Sequence, residues 1–215
     1  MTRILISFLL LALAACAQSN PAKIKEDQTL YTQGMKYFER ERYLSAIDFF
    51  SQLKNRFPES PLVKQARLRL ADSYFEAGEY IDAEIEYHQF TTLYPLHSEI
   101  QYAWLSLGKA QLKQAPRSAQ KDLQQVLTAK RTFQTLAVKW PASPEAEQAR
   151  TYIQQCLEKE IEKQLYLANY YQRVDKYDVS LHHLNNIDPN AIVNEDQRER
   201  FQALMAQAKQ QTQNP

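Results

Sequence analysis

The 215-residue chain balances 26 Lys and Arg against 25 Asp and Glu for a formal charge of +1, so it lacks the strongly basic face that nucleic-acid binding usually leaves. With only three glycines and two cysteines, it has neither a glycine-rich phosphate loop nor a disulfide framework. About two hundred residues are nevertheless enough to bury a domain-sized core by packing alone.

The first fifteen residues read apart from the rest. Arg3 supplies a positive charge, Ile4 to Leu13 is an apolar run broken only by Ser7, and Leu13-Ala14-Ala15-Cys16 closes it. This is the three-part layout of a secretory signal, and it is too short for a spanning helix of roughly 20 apolar residues. Small residues before a cysteine resemble the lipobox of bacterial lipoproteins, which implies cleavage before Cys16 and a diacylglyceryl group on its sulfur. Ala17 after the cysteine, by resemblance to proteobacterial sorting signals, implies delivery to the outer membrane. Cys156 is then the one remaining thiol, and the mature chain forms no internal disulfide. Residues 17–27 are polar and read as a flexible tether.

The remainder has the composition and apolar spacing of an all-α protein. The spacing predicts helices over about 28–40, 43–57, 60–77, 80–94, 98–113, 120–139, 144–173, 177–187 and 194–211. Aligning the chain on itself shows why they recur. From Gly34, Tyr37, Ala46, Phe50 and Pro58 follow at offsets that Tyr74, Ala83, Tyr87 and Pro95 repeat from Ala71. A third block holds Trp104, Leu107, Gly108, Ala129, Phe133 and Pro141, its second half displaced by a polar segment, 114–122, that contains Pro116. A fourth, Ala168, Tyr171, Ser180 and Leu184, lacks the closing proline. The blocks lie near the period of tetratricopeptide (TPR) units, so a TPR-like helical-repeat solenoid of about four to five helix pairs is expected. Small residues let paired helices approach while aromatic rings fill the space beside them. Pro58, Pro95 and Pro141 stop helices, and Ser60, Ser98 and Ser143 are candidate N-caps. The expected organisation is a signal peptide over 1–15, an acylated tether over 16–27, N-terminal units over 28–113, an inserted loop over 114–122 and C-terminal units over 123–215.

In a solenoid the first helix of each unit lines the inner surface. Tyr31, Met35 and Phe38, then Gln65, Leu68, Asp72, Phe75 and Glu76, then Tyr102, Lys109 and Lys113 fall there at spacings of three and four. Aromatics among single charges suit an extended peptide held by a few anchors and a polar rim. Taken singly, Phe38 and Phe75 would serve equally well to complete the core between units.

No constellation points to catalysis, a metal or a cofactor, so no enzyme is expected. His182 and His183 point about 100° apart on a helix, a poor geometry for one ion, and His88 and His97 lack partners at ligand spacing. Cys156 sits beside Ile153 and Leu157 and reads as a small buried hydrophobe. The acid pairs Glu158/Glu160 and Glu84/Glu86 read as surface charges.

The ordering of lipobox, tether, TPR units, enlarged third unit and long helix resembles the BamD family, lipoproteins of the outer-membrane β-barrel assembly machinery. The segments that carry the likeness are Asn55-Arg56-Phe57-Pro58-Glu59-Ser60, the stretch from Thr92 to Tyr102, the 114–122 insertion and Leu167-Ala168-Asn169-Tyr170-Tyr171. The resemblance implies a non-catalytic adaptor held at the periplasmic face of the outer membrane. Its N-terminal groove would receive segments of unfolded outer-membrane precursors. Its residues from about 166 to 211 would dock on the periplasmic domains of the barrel-forming subunit, alongside other assembly lipoproteins. Around Arg173-Val174-Asp175-Lys176 the chain departs from the family pattern, and Arg173 or Lys176 stands in for a basic docking residue. The competing reading is a periplasmic TPR scaffold of cell division or envelope coordination, which would usually lack the lipobox and the third-unit insertion. A lipoprotein activator of a peptidoglycan hydrolase would need a second module for which there is no room.

Overall fold

The computed structural model describes residues 21–116, 118 and 121–213. Cys16, the leader ahead of it and residues 17–20 of the expected tether lie outside them. All regular structure among the described residues is helical: α1 (Pro21–Phe38), α2 (Tyr43–Arg56), α3 (Val63–Ala77), α4 (Tyr80–Leu93), α5 (Ile100–Lys113), α6 (Gln124–Lys139), α7 (Pro144–Arg173), α8 (Tyr177–Asn185), a 3-10 turn at Pro189–Ala191, and α9 (Glu195–Gln213). The result is an all-α, TPR-like series of helix-turn-helix repeats.

The largest departure from the sequence reading is at the start. Residues 21–27, expected in the tether, are the first turns of α1. A proline is at home in a first helical turn, where its missing N–H has no partner to lose. Buried Asp27 accepts a hydrogen bond from the Ser60 hydroxyl, and Glu26 pairs with Arg56. Long-range partners of this kind hold a polar segment in a helix that its composition alone would leave unsettled.

The chain divides into two compact units, one ending at Ala77 and the other starting at Gly78. The 114–122 segment falls inside the second unit, and its described residues are non-helical. In the first unit, Ala46, Phe50 and Leu53 of α2 are buried against Leu30 of α1 and Val63, Ala66 and Leu70 of α3. Gly34 is the key to this packing: a Cβ there would lie 2.6 Å from a ring carbon of Phe50. The second unit repeats the device, because a Cβ at Gly108 on α5 would lie 2.5 Å from a ring carbon of Phe133 on α6. Around Phe133 gather Leu105, Val126, Ala129, Leu136, Ala149 and Cys156. Further along α7, Ile161, Leu165 and Ala168 meet Leu184 of α8 and Ala208 of α9. A bidentate pair from Arg200 to Glu162, at 2.9 and 3.0 Å, and a bond from the Gln172 amide to the Leu204 carbonyl at 2.7 Å tie α9 to α7.

Helix ends follow two rules. The prolines act as expected: α2, α4 and α6 each stop on an aromatic residue, Phe57, Tyr94 or Trp140, whose N–H bonds four residues back and whose successor is the proline. The other rule escaped the sequence reading. Glu41, Gly78 and Asp175 all have positive φ, of 57°, 84° and 59°, and each stands two residues before a tyrosine that opens a helix, Tyr43, Tyr80 or Tyr177. One left-handed residue thus makes the same tight turn three times, and only once is it the glycine that such a φ favours. Of the three candidate serine caps, only Ser143 caps a helix, accepting from the Ala146 N–H at 3.0 Å. Ser60 instead bridges Asp27 and the Leu62 N–H, and Glu99, not Ser98, precedes α5.

Candidate functional site

Within the first unit, the side chains expected to line a groove separate by burial. Tyr31, Met35 and Phe38 on α1 are half-buried and pack along the edge of the Phe50 core. The Tyr31 ring sits 5.9 Å from that of Phe50, and Phe38 meets Tyr43 edge-on at 5.5 Å. On α3, Phe75 is half-buried, whereas Gln65 and Glu76 are exposed. Burial, and then the charges of Glu41 and Glu76, raise the Tyr43 phenol above its ordinary value. Leu68 and Asp72 do not belong to an open surface. Leu68 is 0% exposed and Asp72 3%, and Asp72 is held by Arg69 at 2.6 Å. Both are interior residues, because a three-four spacing marks a helix face without saying how far that face extends to solvent.

In the second unit Tyr102 is exposed, while Lys109 and Lys113 lie on one side of a cleft of about 380 Å³ between α5 and α7. Leu112, Tyr152, Gln155 and Lys159 complete its lining. The three α7 residues were missed from sequence. They repeat at three and four, as those of α5 do, but nothing local says that α5 and α7 face each other across α6. Tyr152 stacks on Phe133 at 4.9 Å with 10° between the rings, so the ring seated against Gly108 also supports the cleft's aromatic wall.

The candidate docking residues mark the α7–α8 turn. Arg173 ends α7, Lys176 precedes α8, and both are exposed beside Tyr170 and Val174, which are 51% and 44% exposed. Two solvent-facing apolar side chains flanked by two cations make an amphipathic tip on a turn that Asp175 fixes in shape.

The residues set aside for catalysis have other employment. The Glu160 carboxylate pairs with Lys130 at 2.5 Å, and Glu84 accepts from Gln111 and Gln114. His183 stacks on Tyr171 and bonds Gln164 at 2.9 Å. His97 accepts from the Glu99 N–H. Cys156 is fully buried, and burial, with the Glu160 charge, pushes its thiol up to about 11. No cluster of potential metal ligands occurs among the described residues, nor does any helix among them have the length and apolarity to cross a membrane.

Comparison with known proteins gives these surfaces a context. A family described as outer membrane lipoprotein, YfiO, matches residues 23–212. The outer membrane protein assembly factor BamD of Rickettsia prowazekii (strain Madrid E) is 30% identical over 76 residues, 35% of this chain and 30% of that protein. The match thus spans less than a third of that relative's length. Among solved structures, the first TPR of Spaghetti (RPAP3) bound to an HSP90 peptide aligns with 62% of this chain and 94% of its own, at 22% identity and a TM-score of 0.48. A thermophilic TPR protein of Thermus thermophilus, TTC0263, aligns with 84% of this chain and 99% of its own, at 15% identity and a TM-score of 0.46.

Proposed function

Since the chain belongs to the YfiO family of outer membrane lipoproteins, we propose that it is a lipid-anchored adaptor of β-barrel assembly in the outer membrane, working at the periplasmic face. Cys16 carries the lipid. The exposed and half-buried side chains of α1, α3 and α5 (Tyr31, Met35, Phe38, Gln65, Phe75, Glu76, Tyr102, Lys109 and Lys113) bind segments of unfolded precursors. Arg173 and Lys176, with Tyr170 and Val174, dock on the barrel-forming subunit, and other assembly lipoproteins share the complex. The observation that carries this reading is the family match across almost the whole mature chain, and the printed role of the Rickettsia relative agrees with it. The surfaces suit the task physically. Half-buried rings beside exposed charges bind extended segments through a few anchors, and an adaptor works by holding partners in place.

Affinity purification from detergent-solubilised membranes tests it. A large barrel protein with periplasmic domains should be recovered with the chain, and Arg173→Glu with Lys176→Glu should release it. Recovery of division or cell-wall proteins alone would favour an envelope scaffold instead. Cys16→Ala should leave a folded chain that no longer sediments with membranes, and unchanged sedimentation would refute the anchor.

A further inference from the structure

The cleft between α5 and α7 has a charge pattern that packing does not explain. Lys109 and Lys113 stand one turn apart on α5, and Gln155 and Lys159 one turn apart on α7, so three ammonium groups share a space of about 380 Å³ with no carboxylate in its lining. Three carboxylates of the neighbouring helices are bonded elsewhere. Glu84 is bonded by Gln111 and Gln114, Glu160 by Lys130, and Glu162 by Arg200. Glu158, next to Lys159 in sequence, lines with Glu162 and Gln197 a neighbouring cleft that Gln155 and Lys159 also line, so Lys159 borders both. Neither Lys113 nor Lys159 is in an ion pair among the described residues. Gathering like charges at one place costs self-repulsion unless an anion relieves it.

The remaining lining is apolar or neutral: Leu112, the face of Tyr152, and Gln155 with its amide donor and acceptor. Tyr152 is held in place by its stack on Phe133, so this wall is formed before anything binds.

We propose that this cleft is a carboxylate-selective peptide subsite. An aspartate or glutamate side chain is taken between Lys113 and Lys159, with Lys109 on the same side, while a neighbouring aromatic or aliphatic side chain lies on Tyr152 and Leu112. The subsite rests on the adaptor reading, in that it supposes peptide segments of other proteins to be the ligands. A peptide is favoured over a lipid headgroup because the site is a recess between two helices, which an extended chain enters and a planar bilayer surface does not.

Fluorescence anisotropy with the full-length chain in detergent tests the subsite. The probes are a fluorescein-labelled nonapeptide alternating Phe and Glu, and its counterpart with every Glu replaced by Gln. At low salt the Glu peptide should bind about tenfold more tightly, which is the combined effect of two partly exposed ion pairs, and the preference should shrink as salt is raised. Lys113→Glu with Lys159→Glu should abolish the preference while the helical circular dichroism and melting temperature stay near wild type. Equal binding of both peptides, or an acidic preference untouched by the double substitution, overturns the subsite and leaves the adaptor reading intact. Binding by neither peptide overturns it as well. Phosphatidylglycerol vesicles bound through the two lysines, with no difference between the peptides, would assign the cleft to lipid and refute the proposal. Acidic preference in a chain that recovers no barrel subunit from membranes would uphold the subsite and remove the adaptor reading.

Discussion

Gly108→Ala tests the packing logic on which the second unit depends. At an exposed helical position this change would stabilise by about 1 kcal/mol, because alanine is the better helix former. At Gly108 the added Cβ would meet three carbons of the Phe133 ring at 2.5, 2.7 and 2.8 Å, where ordinary contact begins near 3.4 Å. The ring must therefore retreat by roughly 1 Å in an interior packed to crystal density. It has little room to move, since Phe133 is fully buried and Tyr152 is stacked on it. Overpacking costs about 1–3 kcal/mol, and the pinned ring argues for the upper end. Subtracting the propensity gain leaves a net loss of about 2 kcal/mol. For a chain of this size that is a fall of about 4–8 °C in melting temperature, read by circular dichroism at 222 nm and checked by urea titration. Phe133→Leu placed in the Gly108→Ala background should recover part of the loss, giving a favourable coupling in a double-mutant cycle. A Gly108→Ala chain that melts at or above wild type would refute the argument that this glycine exists to admit the ring.

The three left-handed turns predict opposite signs. Glu41→Gly should stabilise by about 0.5–1 kcal/mol in urea titrations by relieving a positive φ, and Asp175→Gly should gain less because it removes the 3.1 Å bond from the Tyr177 hydroxyl. Gly78→Ala should instead lose about 1 kcal/mol, although nothing stands within 4 Å of the added carbon. Cys156 should resist Ellman's reagent at pH 8 until denaturant is added. Its thiol is raised from 9.0 to about 11, so its contribution to stability is full below pH 9 and declines as pH rises through about 11. Burial, and then the charge of His182, lower the pKa of His183. The stability it contributes is therefore present above the ordinary histidine value and falls as pH drops through the lower folded value. Urea midpoints between pH 7.5 and 5 should show that loss, and His183→Gln should flatten it.

The periodic elements were readable because their causes are local. Gly34 with Phe50 and Gly108 with Phe133 recur at a repeat offset, and the stopping prolines break helices wherever they stand. Even the tight turn was written in plain view, as Glu41-Arg42-Tyr43, Gly78-Glu79-Tyr80 and Asp175-Lys176-Tyr177. It went unseen because two of its three left-handed residues are not glycine, and glycine is the usual sign of a positive φ.

What needed the folded chain was everything set by distant partners. Spacing placed Leu68 and Asp72 on the same helix face as Phe75 and Glu76, yet the first two are interior and Glu76 is in water. Composition assigned residues 21–27 to a tether, and Ser60 and Arg56, some thirty residues away, hold their first turns in α1. Lys109 and Lys113 were legible as one helical face, but the lysine and tyrosine across from them come from a helix more than thirty residues further on. Residue chemistry and short-range sterics are enough to write a set of helices and a repeat into the order of amino acids. Which faces are covered, and which charges meet across a cleft, is settled only on folding, since burial and electrostatic neighbourhood depend on what the rest of the chain brings alongside.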